Sequence, residues 1–378
     1  MSTAIAEAAA DRPAVAVLPL AITAVGVATP AGLGLEALGR AVGEGLAGHA
    51  EEVPGEETPP PRPVRTVPDL RTAELIGRKG VRHLDRTTQL GLVACRLALD
   101  TQPEPMGERT GVVLGTSTGS IRSSSEYSME TLRQERPYLV NPSLFPNTVM
   151  NCTAGQIAIR HGLRGVNATL AGGHLAGVQA LRYARNALRQ GHADRLLVGG
   201  VEEFSAQAAW GWHRSGALEA EAPVGEGAAV LVVEPQAAAS AAGRVALARV
   251  LACETGFAPR DGLAEGLAAV VGAALRRSGK DPGEVTTVSL GCTGRAGLER
   301  VEERALGLAL GGALPGQVVR VKETVGECFS ADGVLQIAAV LGLWQREGRT
   351  RGGTAVVTSL SGDGLVGCAV LDTADPLG

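Results

Sequence analysis

Phe145–Leu170 reads FPNTVMNCTAGQIAIRHGLRGVNATL. A segment of helical period near Ala154–His161 gives way there to a short strand near Ala168–Leu170. The LAGGHLAG that follows leads through a narrow turn at Gly172–Gly173 into an Ala/Leu-rich helix near Leu175–Gln190. Working outward, apolar β-branched runs alternate with helical segments along the whole chain. Strands are expected near Ala21–Val27, Gly111–Leu114, Arg195–Gly199 and Ala228–Val233, with helices near Leu35–Leu46, Thr87–Leu99 and Ser205–Trp212. After a break at Ala237–Gly243, strands near Val245–Leu251, Thr286–Leu290, Val318–Arg320, Thr354–Thr358 and Val366–Leu371 alternate with helices near Ala264–Arg277, Leu298–Leu308 and Gly333–Gln345. The alternation predicts an α/β chain with a mostly parallel sheet covered by helices. The similar order on both sides of the break suggests a duplicated unit: a flexible tail at 1–19, one half at 20–238 and another at 244–373. The proline-rich Val53–Val67 reads as an exposed loop.

Composition narrows the function classes. With 35 basic and 39 acidic residues, a net charge of -4 and no long like-charge block, the chain has no footprint for nucleic acid. A small basic cluster, Arg276, Arg277 and Lys280, could touch an acidic partner, although a solvated helix end explains it as well. Aromatics are 3 % of residues, so the core must be aliphatic. The six cysteines, Cys95, Cys152, Cys253, Cys292, Cys328 and Cys368, form no CxxC pair, and no histidine stands at zinc-finger spacing. Reduced thiols in a cytoplasm, with no metal and no cofactor, are the expectation. The apolar Ala14–Leu35 contains proline, glycine and β-branched runs that suit a buried strand and turn better than a membrane span.

Several stretches carry a family resemblance. AITAVGVATPAG (Ala21–Gly32), DRTTQLGLVACRLAL (Asp85–Leu99), Phe145–Leu170, LLVGGVEE (Leu196–Glu203) and VGEGAAVLVVE (Val224–Glu234) resemble the β-ketoacyl synthases of fatty acid and polyketide assembly. So do VKETVGECFSADGVLQIAAVLGL (Val321–Leu343) and SLSGDGLVGCAVL (Ser359–Leu371). The resemblance implies a thiolase-like five-layer αβαβα fold from two similar halves, dimerised through an extended sheet.

It also implies a catalytic set, and the matching positions depart from it. The cysteine of the strand-to-helix turn, which would carry the acyl chain as a thioester, is matched by His174. The helix N-terminus there disfavours imidazolium, so a neutral ring is expected. The histidine of the HGTxT loop is matched by Gly291, followed by Cys292. The lysine of the second loop is kept as Lys322, but the histidine five residues on is Glu327, a carboxylate that would repel an enolate. The lysine's carboxylate partner reads Gln336, while Asp332 appears in the same helix and could re-pair Lys322. The channel-gating phenylalanine maps to Asp363, and the loop before VGEGA is shortened to EAEAP.

Two functions follow from the resemblance. One is a catalytically degenerate, chain length factor-like partner of an active ketosynthase, as a heterodimer, with an acyl carrier protein docking on that partner. The other is a divergent enzyme, acting alone as a homodimer, that reuses the pocket for acyl transfer, hydrolysis, cyclisation or dehydration. His174, Glu327, Cys292, Cys328 and Asp363 would be its raw material. His174 is either a filler of the vacated pocket or a general base or transient acyl acceptor, and Cys292 and Cys328 are either reactive or buried small hydrophobes.

Overall fold

A computed structural model describes residues 18–50, 58–102, 106–349 and 352–373. The expected tail therefore lies almost wholly outside the described residues. The framework strands are β1 (Leu20–Thr29), β2 (Thr110–Gly115), β3 (Asn167–Leu170), β4 (Arg195–Glu202), β5 (Gly227–Pro235), β6 (Ala248–Phe257), β7 (Val285–Ser289), β8 (Gln317–Val319), β9 (Thr354–Leu360) and β10 (Leu365–Thr373). They lie in the order β8-β7-β9-β10-β6-β1-β5-β4-β2-β3, and Gly32–Leu33 pairs onto β1. Numbered from its own first strand, each set of five runs 3-2-4-5-1, so the topology repeats. The sets meet where Leu20–Ile22 of β1 pairs antiparallel with Ala248–Val250 of β6.

The helices that matter are α1 (Leu35–Gly43), α2 (Arg86–Leu99), α3 (Ile121–Arg133), α4 (Cys152–His161), α5 (Ala176–Arg189), α6 (Ala206–Ser215), α7 (Leu263–Ser278), α8 (Leu298–Leu310) and α9 (Asp332–Arg346). Helices α2 and α4 cover the outer face of the first strand set, and α7 and α8 cover that of the second. Helices α5 and α9 lie between the sets, which makes five layers. Every residue of α9 from Asp332 to Trp344 is buried, as expected for a helix apolar on all sides.

Four expectations need correction. The sheet is mixed: β2 pairs parallel with β3 and β4, and β7 with β8 and β9, but the central pairs β4/β5, β5/β1, β1/β6, β6/β10 and β10/β9 are antiparallel. Strands such as β1 and β5 are buried on both faces, so their unbroken apolar runs imitate those of parallel strands. The break at Ala237–Gly243 is a short alanine-rich helix, Gln236–Ala241. The described part of Val53–Val67 is more than an exposed loop, because Val64–Arg65 pairs with Val224–Gly225 and Thr66 and Val67 are buried. Residues 53–57 lie outside the described set. The strand expected near Val245–Leu251 begins at Ala248, leaving Val245 and Leu247 exposed.

The basic cluster is largely spent in ion pairs: Arg277 meets Glu254 at 2.7 Å, and Lys280 meets Asp372 at 3.2 Å and Glu284 at 3.3 Å. Among the described residues no helix is long and apolar enough to cross a membrane.

Candidate functional site

After β3 the chain turns through Gly173, whose φ of +56° lies in the left-handed region, and delivers His174 just ahead of α5. Ser359 Oγ at the end of β9 donates to the His174 carbonyl at 2.7 Å. The imidazole is 4 % exposed and packs edge-on against Phe329 (centroids 4.5 Å, 78°) and Trp212 (5.6 Å, 61°). Burial lowers its pKa to about 4, overriding the opposing pull of Glu327, so the ring is neutral near pH 7. Its Nε2 comes within 3.3 Å of Glu327 Oε1 without the alignment of a hydrogen bond.

Glu327 belongs to a buried charge cluster. Lys322 Nζ lies 2.8 Å from Glu327 Oε2 and 2.7 Å from Asp332 Oδ2, with all three residues nearly inaccessible to solvent. The Phe329 N–H donates to Glu327 Oε1 at 2.9 Å and the Cys328 N–H to Asp332 Oδ1 at 3.1 Å. Burial opposes the charge on Glu327, but the ammonium of Lys322 wins and holds the carboxyl well below its usual range. Burial, then repulsion from Glu327, pushes Asp332 well above its own. Lys322 stays charged, because both carboxyls outweigh its desolvation. One ammonium thus holds two buried carboxyls, the charged form being favoured at Glu327 and disfavoured at Asp332.

The neighbouring loop carries Gly291 and Cys292. Their N–H groups donate to the two oxygens of Glu302 at 2.9 and 2.8 Å, and Thr358 Oγ1 donates to Glu302 at 2.7 Å. A Cβ at position 291 would lie 2.5 Å from the Thr358 carbonyl oxygen and 3.2 Å from Gln336 Nε2. The space for a side chain is therefore closed. Gln336 donates to that same carbonyl at 3.1 Å, leaving Lys322 to Asp332 as the re-pairing expectation has it. Arg295, 5 % exposed, donates to the Leu360 carbonyl at 2.7 Å, and its charge reaches His174, Glu327 and Lys322.

Residues 18–239 match the family described as "Beta-ketoacyl synthase, N-terminal domain". The chain belongs to the β-ketoacyl synthase family. It is 31 % identical over 366 residues to the "Actinorhodin polyketide putative beta-ketoacyl synthase 2" of Streptomyces coelicolor, covering 90 % of this chain and 88 % of that protein. With the 3-oxoacyl-[acyl-carrier-protein] synthase 2 of Vibrio harveyi it shares 28 % over 189 residues, 49 % of this chain and 45 % of that one. The solved structure described as the ishigamide ketosynthase/chain length factor superposes with a TM-score of 0.81 at 32 % identity, covering 94 % of this chain and 99 % of that chain.

In this ketosynthase-family chain the structure brings together His174, Lys322 and Glu327, with Asp332 added, and holds Gly291 and Cys292 on the adjoining loop. It does not bring in the others. Cys292 Sγ faces the Leu360 carbonyl at 3.7 Å and Cys328 Sγ the Val325 carbonyl at 3.7 Å, and burial pushes both thiols well above the usual range. Both are inert as nucleophiles. Asp363 is exposed in the turn between β9 and β10. His174, Glu327 and Asp332 could each offer a metal one atom, all within 4.8 Å of one another. Lys322, however, already stands between the two carboxyl groups, where a cation would sit.

Sequence reasoning missed Glu302, Arg295 and the aromatic cover. Glu302 shares the buried face of α8 with Leu298, Ala305 and Leu306 at helical spacing, which was the available signal. Arg295 is a lone cation in a glycine-rich turn between an apolar strand and a helix.

Proposed function

We propose that this chain is a non-condensing, chain length factor-like partner of an active ketosynthase in polyketide or fatty acid-type assembly. One observation carries the reading: where condensation needs a thiolate to hold the acyl chain, a buried neutral imidazole stands beside a charge cluster that satisfies itself. The names of the relatives support the polyketide setting.

The surface supports the partnership. Leu132 (78 % exposed), Tyr138 (70 %), Phe145 (54 %), Met129, Leu139, Val149 and Met150 lie on α3 and the turns after it, packed against α4. The turn at Pro142–Thr148 packs against α4, which in turn packs against β3, whose outer edge is unpaired among the described residues. An apolar patch next to an open strand edge is a docking face. In this reading the acyl carrier protein serves the partner, the free cysteines suit the cytoplasm, and 20–238 and 244–373 are the two repeated halves.

A second reading, a divergent enzyme, rests on the approach of His174 to the ionised Glu327, the pose of a base beside an orienting carboxylate. Co-expression with a ketosynthase encoded beside this chain separates the two. A tight heterodimer whose carrier-bound product survives His174→Ala and Glu327→Ala supports the partner. Loss of turnover in those variants, with the fold intact, supports the enzyme.

A further inference from the structure

A cleft of about 400 Å³ opens onto Lys322 and Glu327. Its walls are Leu218–Pro223 on one side and Thr293, Gly294, Glu299 and Glu323 on the other. Its size is that of a small-ligand site. Thr293, 9 % exposed, lines it with a hydroxyl that has no hydrogen-bond partner among the described residues. A ligand-sized opening with an unanswered polar group thus leads to the buried cluster.

The rim decides what could enter. Glu219, Glu221 and Glu323 are exposed, and none is in an ion pair among the described residues. Glu299 is bound by Arg320, which also binds Glu303. Arg62 is committed to the carbonyls of Glu219 and Ala222. Arg300 lies in an adjoining cleft of about 440 Å³, where Glu219, Glu299 and Glu303 surround it.

We propose that this glutamate rim excludes an acidic carrier protein from the chain's own pocket, so that within the heterodimer the carrier engages the partner alone. The inference rests on the non-condensing partner reading and names the residues that enforce it. An acidic helix bringing a phosphorylated arm to this mouth meets Glu219, Glu221 and Glu323 within a Debye length, roughly 8 Å at physiological salt. Like charges facing each other suppress the wrong partner more effectively than they strengthen the right one.

The test puts a reporter thiol in the wall of the cleft, at Thr293. The heterodimer is prepared with Thr293→Cys in this chain and the nucleophile of the partner removed. Two reagents are compared: free bromoacyl-pantetheine, which has no phosphate, and a carrier protein whose phosphopantetheine bears the same bromoacyl group. The thiolate displaces bromide in either case, and mass spectrometry reads the thioether. The free reagent should alkylate the introduced thiol while the carrier crosslinks slowly. Adding Glu219→Lys, Glu221→Lys and Glu323→Lys should speed carrier crosslinking by about tenfold or more at low salt, with the gain shrinking in high salt and the free-reagent rate unchanged. Equal carrier rates with and without the lysines overturn the proposal. So does failure of the free reagent to reach the thiol, since closure and not charge would then do the excluding. Failure to co-purify with any ketosynthase would instead defeat the partner reading, and the same rates are then compared on the chain alone.

Discussion

Lys322 answers two carboxyls whose pKa values are pushed in opposite directions, and its removal should show how much the cluster matters. Lys322→Met leaves a buried carboxylate without its ammonium and should destabilise the chain by about 3–5 kcal/mol in urea denaturation. Lys322→Met with Glu327→Gln should recover most of that loss, because the ionised Glu327 is gone and burial pushes Asp332 toward its neutral form. His174 gives a pH signature. Its folded pKa of about 4 lies below the ordinary 6.5, so between these values the unfolded chain binds the extra proton. The stability it contributes is complete above pH 6.5 and falls on acidification to pH 4, by up to about 3 kcal/mol. Denaturation of His174→Gln against the parent should therefore show the variant gaining relative stability by about that amount across this window. A flat difference would mean that the ring is not held neutral. Gly291→His, the change that would restore the family imidazole, should cost about 1–3 kcal/mol, because its Cβ meets the Thr358 carbonyl at 2.5 Å.

Elements place these residues through close backbone contacts. Helix α1 crosses α9 where a Cβ at Gly39 would lie 2.5 Å from the Gly342 carbonyl carbon. Gly39→Ala should push the helices apart and lower stability by about 1–3 kcal/mol in thermal or urea unfolding, although alanine favours a helix. The framework strands and most long helices were legible because their apolar runs are long and their helical stripes regular. Helix α3 was not, since IRSSSEYSMETLR offers no apolar stripe and none of its residues is buried. Its start is signalled only by Ser120, whose Oγ accepts the Ser123 N–H. At the site, the family motif located His174, Lys322 and Glu327, and Asp332 stood out as a charge in an apolar run. Which groups face one another depends on side-chain direction at loop ends, and linear spacing does not carry that information. This is why Cys292, Cys328 and Asp363 did not join the cluster.

On the scale of the molecule, the two strand sets share the order 3-2-4-5-1 and clasp α5 and α9 between them. The pocket lies where elements of both sets meet, so its residues tie the halves together: Ser359 of β9 holds the turn before α5, and Ser330 ahead of α9 donates to the Val201 carbonyl of β4 at 3.2 Å. If the exposed face of α3 and its following turns is the docking surface, Leu132→Asp with Tyr138→Asp should abolish co-purification with the ketosynthase. The melting temperature of the isolated chain should stay within a few degrees, since both residues are at least 70 % exposed. The two ends of the sheet are unlike. The far end, β8, has three residues, and a Gln317–Glu347 side-chain bond of 2.7 Å lies at that margin. The β3 end has the broad greasy skirt. In the proposed partnership, a partner docked along β3 takes up the sheet edge at the apolar end, and the three-residue β8 leaves a shorter stretch for a third subunit. On that reading the fold favours pairs over filaments.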